Sequence, residues 1–350
     1  MSVERIELWP GYSISRLLKG GWHLAGGHGG VDREQAIKDM AAFVEAGITS
    51  FDCADHYIGV EQLIGDFRRA YPDLARRVQV HTKFVPDLDD LAKVDLNYVA
   101  RIIERSLRRL GVERLDLVQF FWWDWSVPGA VDAAIALDEL MREGKIARLG
   151  VTNFNTGQLA ELVDARIPFV AHQLQYSLVD RRPEHRMSAY CQARGIKFLT
   201  YGHLLGGFFS ERWLGKPEPA GPFENRSLTK YKLIIDEFGG WGLFQELLGV
   251  LQRVGERHGV GLGEVAVRWT LDRPNVAGCV IGATSTAHLH RNLQIAKLRL
   301  TQEDLREIGA VTDRSSGPAG DCYELENDRH GPHGRIMRYN QNKVDETPAP

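Results

Sequence analysis

A tyrosine, a lysine and an aspartate fall in two short segments of this chain, FDCADHY (51–57) and HTKF (81–84). Together these residue types can carry acid–base chemistry. A free phenol, with a pKa of about 10, is a poor proton donor and acceptor at neutral pH. A nearby ammonium stabilises the phenolate and lowers that pKa, and a carboxylate beside the ammonium anchors it and keeps it charged. On this reading Tyr57 is the acid–base group, Lys83 its modulator and Asp52 the anchor of Lys83. Singly, each has an ordinary explanation: a strand-end aspartate caps or organises a loop, and a tyrosine after a strand packs. The chemistry requires a fold that brings them together.

Short apolar runs at 16–20, 48–52, 78–83, 115–121, 146–151, 169–173, 197–201 and 277–282 alternate with longer segments whose apolar residues recur at three- and four-residue spacing. Several of these end in glycine, as helices often do: Gly47, Gly111, Gly144 and Gly195. Eight strands, each followed by a helix, predict an α/β protein of the (β/α)8 TIM-barrel class. A doubly wound open sheet would alternate in the same way. No G-x-G-x-x-G follows the first strand, however, and Asp52, Lys83, Asn153, Gln173 and Tyr201 collect at strand C-termini, which converge on one mouth in a barrel. The expected organisation is a single barrel over 1–313, with a long functional loop after the seventh strand at 203–242. A tail over 314–350 has Tyr323, Ile336, Met337 and Tyr339 with which to dock near the pocket.

Composition narrows the function classes. With 43% hydrophobic residues in 350, the chain can bury a substantial core. A formal net charge of -3 argues against a nucleic-acid partner. The basic group Arg101, Arg105, Arg108 and Arg109 is expected on a solvated helix face. Four cysteines without zinc-ligand spacing suit a reducing compartment, and His330 and His333 have no partners in sequence that point to a metal site. There is no secretory h-region and no apolar run of about 18 residues, so a cytoplasmic protein with no membrane partner is expected. Oligomeric state is left open.

The pattern D-x-A-x-x-Y followed by T-K, with Ala54 and Glu61, together with DLVQFFWWDW (116–125), GVTNF (150–154), HQLQYS (172–177) and VIGATS (280–285), resembles the aldo-keto reductase family from about residue 15 to 312. The resemblance implies a barrel, a nicotinamide cofactor and a small-molecule carbonyl substrate. It also implies a histidine ending the fourth strand, where this chain has Phe121, which can neither donate a hydrogen bond nor carry a proton. His56, Trp122, Trp123 and His203 are the nearby candidates to replace it.

The same resemblance assigns Thr152, Asn153 and Gln173 to the nicotinamide carboxamide, and Tyr201 to stacking on its ring. It assigns Gly21, Leu205 and Gly206 to loops beside the cofactor, and Gly282, Ala283, Thr284 and Ser285 to its adenosine phosphate at a helix N-terminus. His288 stands where an arginine commonly grips the 2′-phosphate, with Arg291 one turn on and Asn292 at the adenine contact. NADP is therefore the expected cofactor, with NAD still open. Trp22, Trp122 and Trp123, with Phe121 and His56, are expected to wall an apolar substrate pocket. Three functions stay open: an NADP-dependent oxidoreductase, a cofactor-binding partner protein with little turnover, and a non-redox lyase or dehydratase using Tyr57 and Lys83.

Overall fold

Eight parallel strands close on themselves in the computed structural model, which describes residues 3–25, 30–283 and 285–342. A hairpin of β1 (Arg5–Trp9) and β2 (Tyr12–Ser15) precedes them. The ring runs through β3 (Leu17–Gly20), β4 (Ser50–Asp52), β5 (Gln79–Phe84), β6 (Leu115–Phe120), β7 (Ile146–Thr152), β8 (Phe169–Gln175), β9 (Lys197–Tyr201) and β10 (Val276–Gly282), which pairs back onto β3. This is the expected (β/α)8 barrel.

Around it lie α1 (Arg33–Glu45), α2 (Val60–Ala70), α3 (Pro72–Ala75), α4 (Leu96–Leu110), α5 (Ala130–Arg142), α6 (Thr156–Asp164) and α7 (Met187–Gln192). After β9 come α8 (Arg226–Phe238), α9 (Gly240–His258) and α10 (Leu262–Leu271). After β10 come α11 (Leu289–Lys297), α12 (Gln302–Thr312) and α13 (Glu324–Asn327).

The helices follow local rules. In α4, Val99, Ile102, Ile103, Ser106 and Leu110 are buried at three- and four-residue spacing, Asp95 accepts a hydrogen bond from the Tyr98 amide, and Gly111 ends the helix at φ 66°. In α6, Asn155 and Gln158 form a reciprocal capping box. Thus Asn155, not Asn153, is the cap in NFNTGQ, and Asn153 is left for another role.

Side chains alternate across each strand, so every second one enters the barrel interior. Leu18, Leu117, Ala171, Leu199 and Ala277 fill one end of the interior, covered by Leu8 and Ile14 of the hairpin. This hairpin goes beyond the expected strands. Toward the C-terminal ends of the strands the interior turns polar at Asp52, Lys83, Gln119 and Gln173, all buried. That polar end is the C-terminal mouth.

The chain after α12 crosses this mouth. Arg182 is buried between Asp180 (2.7 Å) and Glu326 (3.0 Å). The Thr156 amide donates to Asp321 at 2.9 Å. On the far side the Asn342 side chain donates to the Val85 carbonyl at 2.9 Å, and the Leu88 amide donates to the Tyr339 carbonyl at 2.9 Å. Among the described residues no helix is long and apolar enough to cross a membrane.

Candidate active site

Lys83 ends up between two neighbours at the close of β5. Its Nζ lies 2.9 Å from both carboxylate oxygens of Asp52 and donates to the Cys53 carbonyl at 2.8 Å. The Tyr57 ring is beside it, its centroid 5.2 Å from Nζ. The adjacent, in-register strands β4 and β5 make this possible, with Asp52 opposite His81 and Lys83 two residues on. Two more amides complete the cluster: Gln173 Nε2 donates to Asp52 Oδ1 at 2.6 Å and Gln119 Nε2 at 3.2 Å.

Gln119 was not among the expected residues. Inward alternation from Leu117 through Gln119 to Phe121 was the signal that could have found it. Gln173, expected at a carboxamide, here also fixes the orientation of Asp52.

The electrostatics follow from burial. Burial opposes the charge on Lys83, but Asp52 and then Tyr57 overcome it and hold the ammonium above its ordinary pKa. For Tyr57 burial dominates and raises the phenol to about 12, although Lys83 pulls it down. This corrects the expectation of a lowered phenol pKa, because the site is buried more deeply than one lysine offsets. The phenol is a neutral donor throughout the neutral range.

These groups form the floor of a cavity of about 520 Å³. Trp22 and His56 flank Tyr57 with ring centroids at 5.1 and 4.9 Å. Phe121 lies on the wall, edge-on to Trp123 (4.7 Å) and to Tyr323 of the C-terminal segment (5.7 Å). Of the candidates to replace a histidine there, His56 packs against the Tyr57 ring and its Nδ1 pairs with Asp55 at 3.2 Å. His203 also reaches the cavity but is tied to Thr200 Oγ1 at 2.9 Å and kept neutral by burial, its pKa lowered to about 3.

Trp122 does not join the wall. It is buried in the helix layer, where its indole N–H donates to the Asp124 and Val127 carbonyls. With Phe121 and Trp123 facing the cavity, strand alternation turns Trp122 outward.

From this floor the cavity extends along Thr152, Asn153, Gln173 and Tyr201 to Gly202, Leu205, Gly206, Gly282 and His288. Asn153 has φ 59°, which asparagine tolerates, and accepts a hydrogen bond from the Tyr201 hydroxyl at 2.7 Å. Gly206 sits at φ 64°, a conformation that glycine adopts without steric cost, and Gly20, Gly202, Gly207 and Gly282 also line the slot. Together these offer an extended dinucleotide a planar ring, polar amides and a glycine-lined channel. The residues present fit a nicotinamide dinucleotide.

Other expected cofactor residues are not on the cavity wall. Gly21 lies behind it, its amide donating to the Asp52 carbonyl at 2.7 Å. The Ala283 carbonyl accepts from Lys19 at 2.7 Å, and Ser285 caps the short turn 286–288. Asn292 is buried in α11, its amide nitrogen without a hydrogen-bond partner among the described residues. Arg291 turns to the buried Glu264 (2.9 Å) and to Glu211 (3.3 Å), so its charge is already paired. Thr284 lies outside the described residues.

Of the four arginines of α4, Arg101 and Arg108 are exposed as expected, but Arg105 and Arg109 are not on a solvated face. Arg109 donates to the Asp55 carbonyl at 3.0 Å and approaches Glu61 at 3.4 Å, while Arg105 meets Asp55 at 4.0 Å. They brace the loop that carries Tyr57. Among the described residues no group of three His, Cys, Asp or Glu side chains is placed to hold a metal.

The model of the Aldo/keto reductase family matches residues 16–313. Aldo-keto reductase YhdN of Bacillus subtilis is 29% identical over 323 residues, covering 89% of this chain and 94% of that protein. Probable aldo-keto reductase 1 of Glycine max is 27% identical, covering 85% of each. The solved glycerol dehydrogenase AKR11B4 of Gluconobacter oxydans superposes with a TM-score of 0.76 at 24% identity, over 91% of this chain and 98% of that one, which is a likeness of fold.

Proposed function

The chain belongs to the aldo/keto reductase family, and from that premise we propose an NADP(H)-dependent oxidoreductase that reduces a carbonyl or conjugated acceptor. The observation that carries this reading is the Lys83 ammonium clamped by Asp52 and Cys53 with the Tyr57 phenol beside it, at the floor of a cavity that continues into a glycine-lined slot. A bound reduced nicotinamide supplies the hydride. Tyr57 holds the substrate oxygen and gives it the proton. Lys83 stabilises the phenolate left behind, and Asp52 keeps Lys83 charged. Tyr201 offers its ring face, and Thr152 and Asn153 offer polar atoms, to orient the ring that is bound. His56, aimed by Asp55, supplies the second polar contact at the carbonyl that Phe121 does not. Paired as it is with Glu264 and Glu211, Arg291 gives only weak preference for a 2′-phosphate, so NAD(H) serves as a poorer substitute.

The experiment is Tyr57→Phe, assayed with NADPH over aldehydes, quinones and enones alongside a cofactor-binding titration. Turnover is expected to fall by about a hundred- to ten-thousandfold while the cofactor still binds. Phe121 favours one second reading, a cofactor-binding protein with little turnover. Tight NADPH binding by the unmodified protein with no consumption of any acceptor would select it. Activity without any nicotinamide, lost in Tyr57→Phe, would select a lyase instead.

A further inference from the structure

We propose that Arg226 and Arg338 form an anion subsite at the mouth of the cavity, which takes a carboxylate carried by the carbonyl substrate. This rests on the reductase reading above and names its substrate class.

Both side chains line the cavity that holds Tyr57 and Lys83. Arg338 also borders a small recess with Trp22, His56 and Gln341, and the Trp22 and His56 rings are the two that flank Tyr57. The guanidinium is thus on the substrate side, one aromatic layer from the phenol. Arg226 lies nearer the loop expected beside the cofactor, because its neighbour Ser227 packs against Gly206.

The charge there is uncompensated. Neither Arg226 nor Arg338 has an ion pair or side-chain hydrogen bond among the described residues. The chain's two most buried guanidiniums, by contrast, each meet two carboxylates: Arg182 with Asp180 and Glu326, Arg268 with Glu4 and Asp272. After burial, Arg338 is the main influence that disfavours the charge on half-buried Arg226. Arg226 opens α8, where the helix dipole adds a further cost for a cation.

Lys230, the third cation at this end, is different. It lies over the Tyr201 and Tyr231 rings, and burial disfavours its charge although Glu326 and Asp180 favour it. Two guanidiniums without ion pairs among the described residues, one half-buried and one exposed, beside Phe121, Tyr323, Ile336 and Met337 leave donors available to an anion between them. A carboxylate accepts from both guanidiniums and relieves their repulsion. With its acidic end held there, a substrate of suitable length presents its carbonyl to Tyr57. Hydride then adds at carbon and the Tyr57 proton at oxygen, giving the alcohol and the oxidised nicotinamide.

The test compares 4-carboxybenzaldehyde with its methyl ester on the full chain with NADPH, in the unmodified protein, Arg338→Met, Arg226→Met and the conservative Arg226→Lys. Circular dichroism checks that each variant folds, and Arg338 is exposed, so its variant keeps the test open if Arg226→Met does not fold. The unmodified protein should favour the acid in kcat/KM, and each methionine variant should lower the acid-to-ester ratio by about tenfold or more through KM. Arg226→Lys should recover part of it, and NADPH affinity should hold. A ratio near one in the unmodified protein, or one insensitive to both arginines, overturns the proposal. So does a loss of NADPH affinity in the variants with the ratio intact, which would make the arginines a cofactor contact. Calorimetric titration of 4-carboxybenzaldehyde without cofactor separates this from the reading beneath it. Binding that Arg338→Met abolishes, in a protein that turns over neither aldehyde, keeps the subsite and removes the reductase. Absence of both turnover and binding removes both.

Discussion

The phenol of Tyr57 and the ring of Phe121 define what the site can do at the level of single side chains. Burial lifts the Tyr57 pKa to about 12 against the pull of Lys83. Reduction needs the neutral phenol, which is the form present below that value. The rate of reduction is therefore expected to stay level across the neutral range and to fall only as pH approaches about 12. A pH profile of kcat/KM in the reduction direction checks this, and a fall near neutrality would show the phenol is not the donor. Phe121 is buried and stacks on Phe154 with centroids 5.8 Å apart. Phe121→His places a polar ring in this aromatic surround, with an expected loss of about 1–3 kcal/mol in denaturant unfolding. The same change returns a donor to the carbonyl, so simple aldehydes should turn over faster. A variant that is less stable and no faster would show that the aromatic wall, not the missing donor, sets the activity.

At the scale of strands and helices, the parts legible in the sequence were those that repeat a short period. The barrel strands and α4 follow from alternation and three- and four-residue spacing, and Asp52, Tyr57 and Lys83 meet because β4 and β5 are in-register neighbours. The same rule, applied at Phe121, turns Trp122 away from the pocket, and the repeated tryptophans hid it. The hairpin β1–β2 was hidden because its buried apolar residues, Leu8 and Ile14, are few. The pairing of Arg105 and Arg109 was hidden because their acceptors, Asp55 and Glu61, lie about fifty residues away in the chain, where no local pattern reaches. Arg291 is the same case, since Glu264 and Glu211 belong to other elements. That pairing gives a prediction for the α10–α11 contact. Glu211 is partly exposed, and exposed pairs contribute about 0–1 kcal/mol, so Glu211→Gln should free Arg291 only modestly. The ratio of NADPH to NADH efficiency should rise by up to about fivefold, which corresponds to that energy. A ratio that falls or stays fixed would show that Arg291 does not approach the cofactor.

Across the whole molecule, the barrel supplies the floor of the site and the C-terminal segment supplies part of its roof. Tyr323, Ile336, Met337, Arg338 and Gln341 reach the cavity, and α13 is held to the barrel by Arg182 between Asp180 and Glu326. Burial disfavours the charge on Glu326, but Arg182 outweighs it and holds the carboxyl below its ordinary pKa of 4.5. A folded-state pKa below the unfolded one contributes stability that is complete above the unfolded value and is lost as pH falls through the folded value. Docking of the segment should therefore be intact at neutral pH and released in acid below the ordinary carboxylate range. Arg182→Met strands two buried carboxylates, and breaking such a group from one side costs about 3–5 kcal/mol. The cost falls on a contact between the segment and the ring, not on the ring's own strand pairing. The expected outcome is faster proteolysis within 314–342 at neutral pH, while the far-ultraviolet circular dichroism of the barrel persists. Glu326→Gln, which keeps the shape and removes one charge, should give a smaller effect in the same direction. Cleavage rates equal to those of the unmodified chain would mean that the Asn342 and Tyr339 contacts at β5 suffice to hold the roof. The selectivity of the cavity would then be independent of the ion pairs beneath α13.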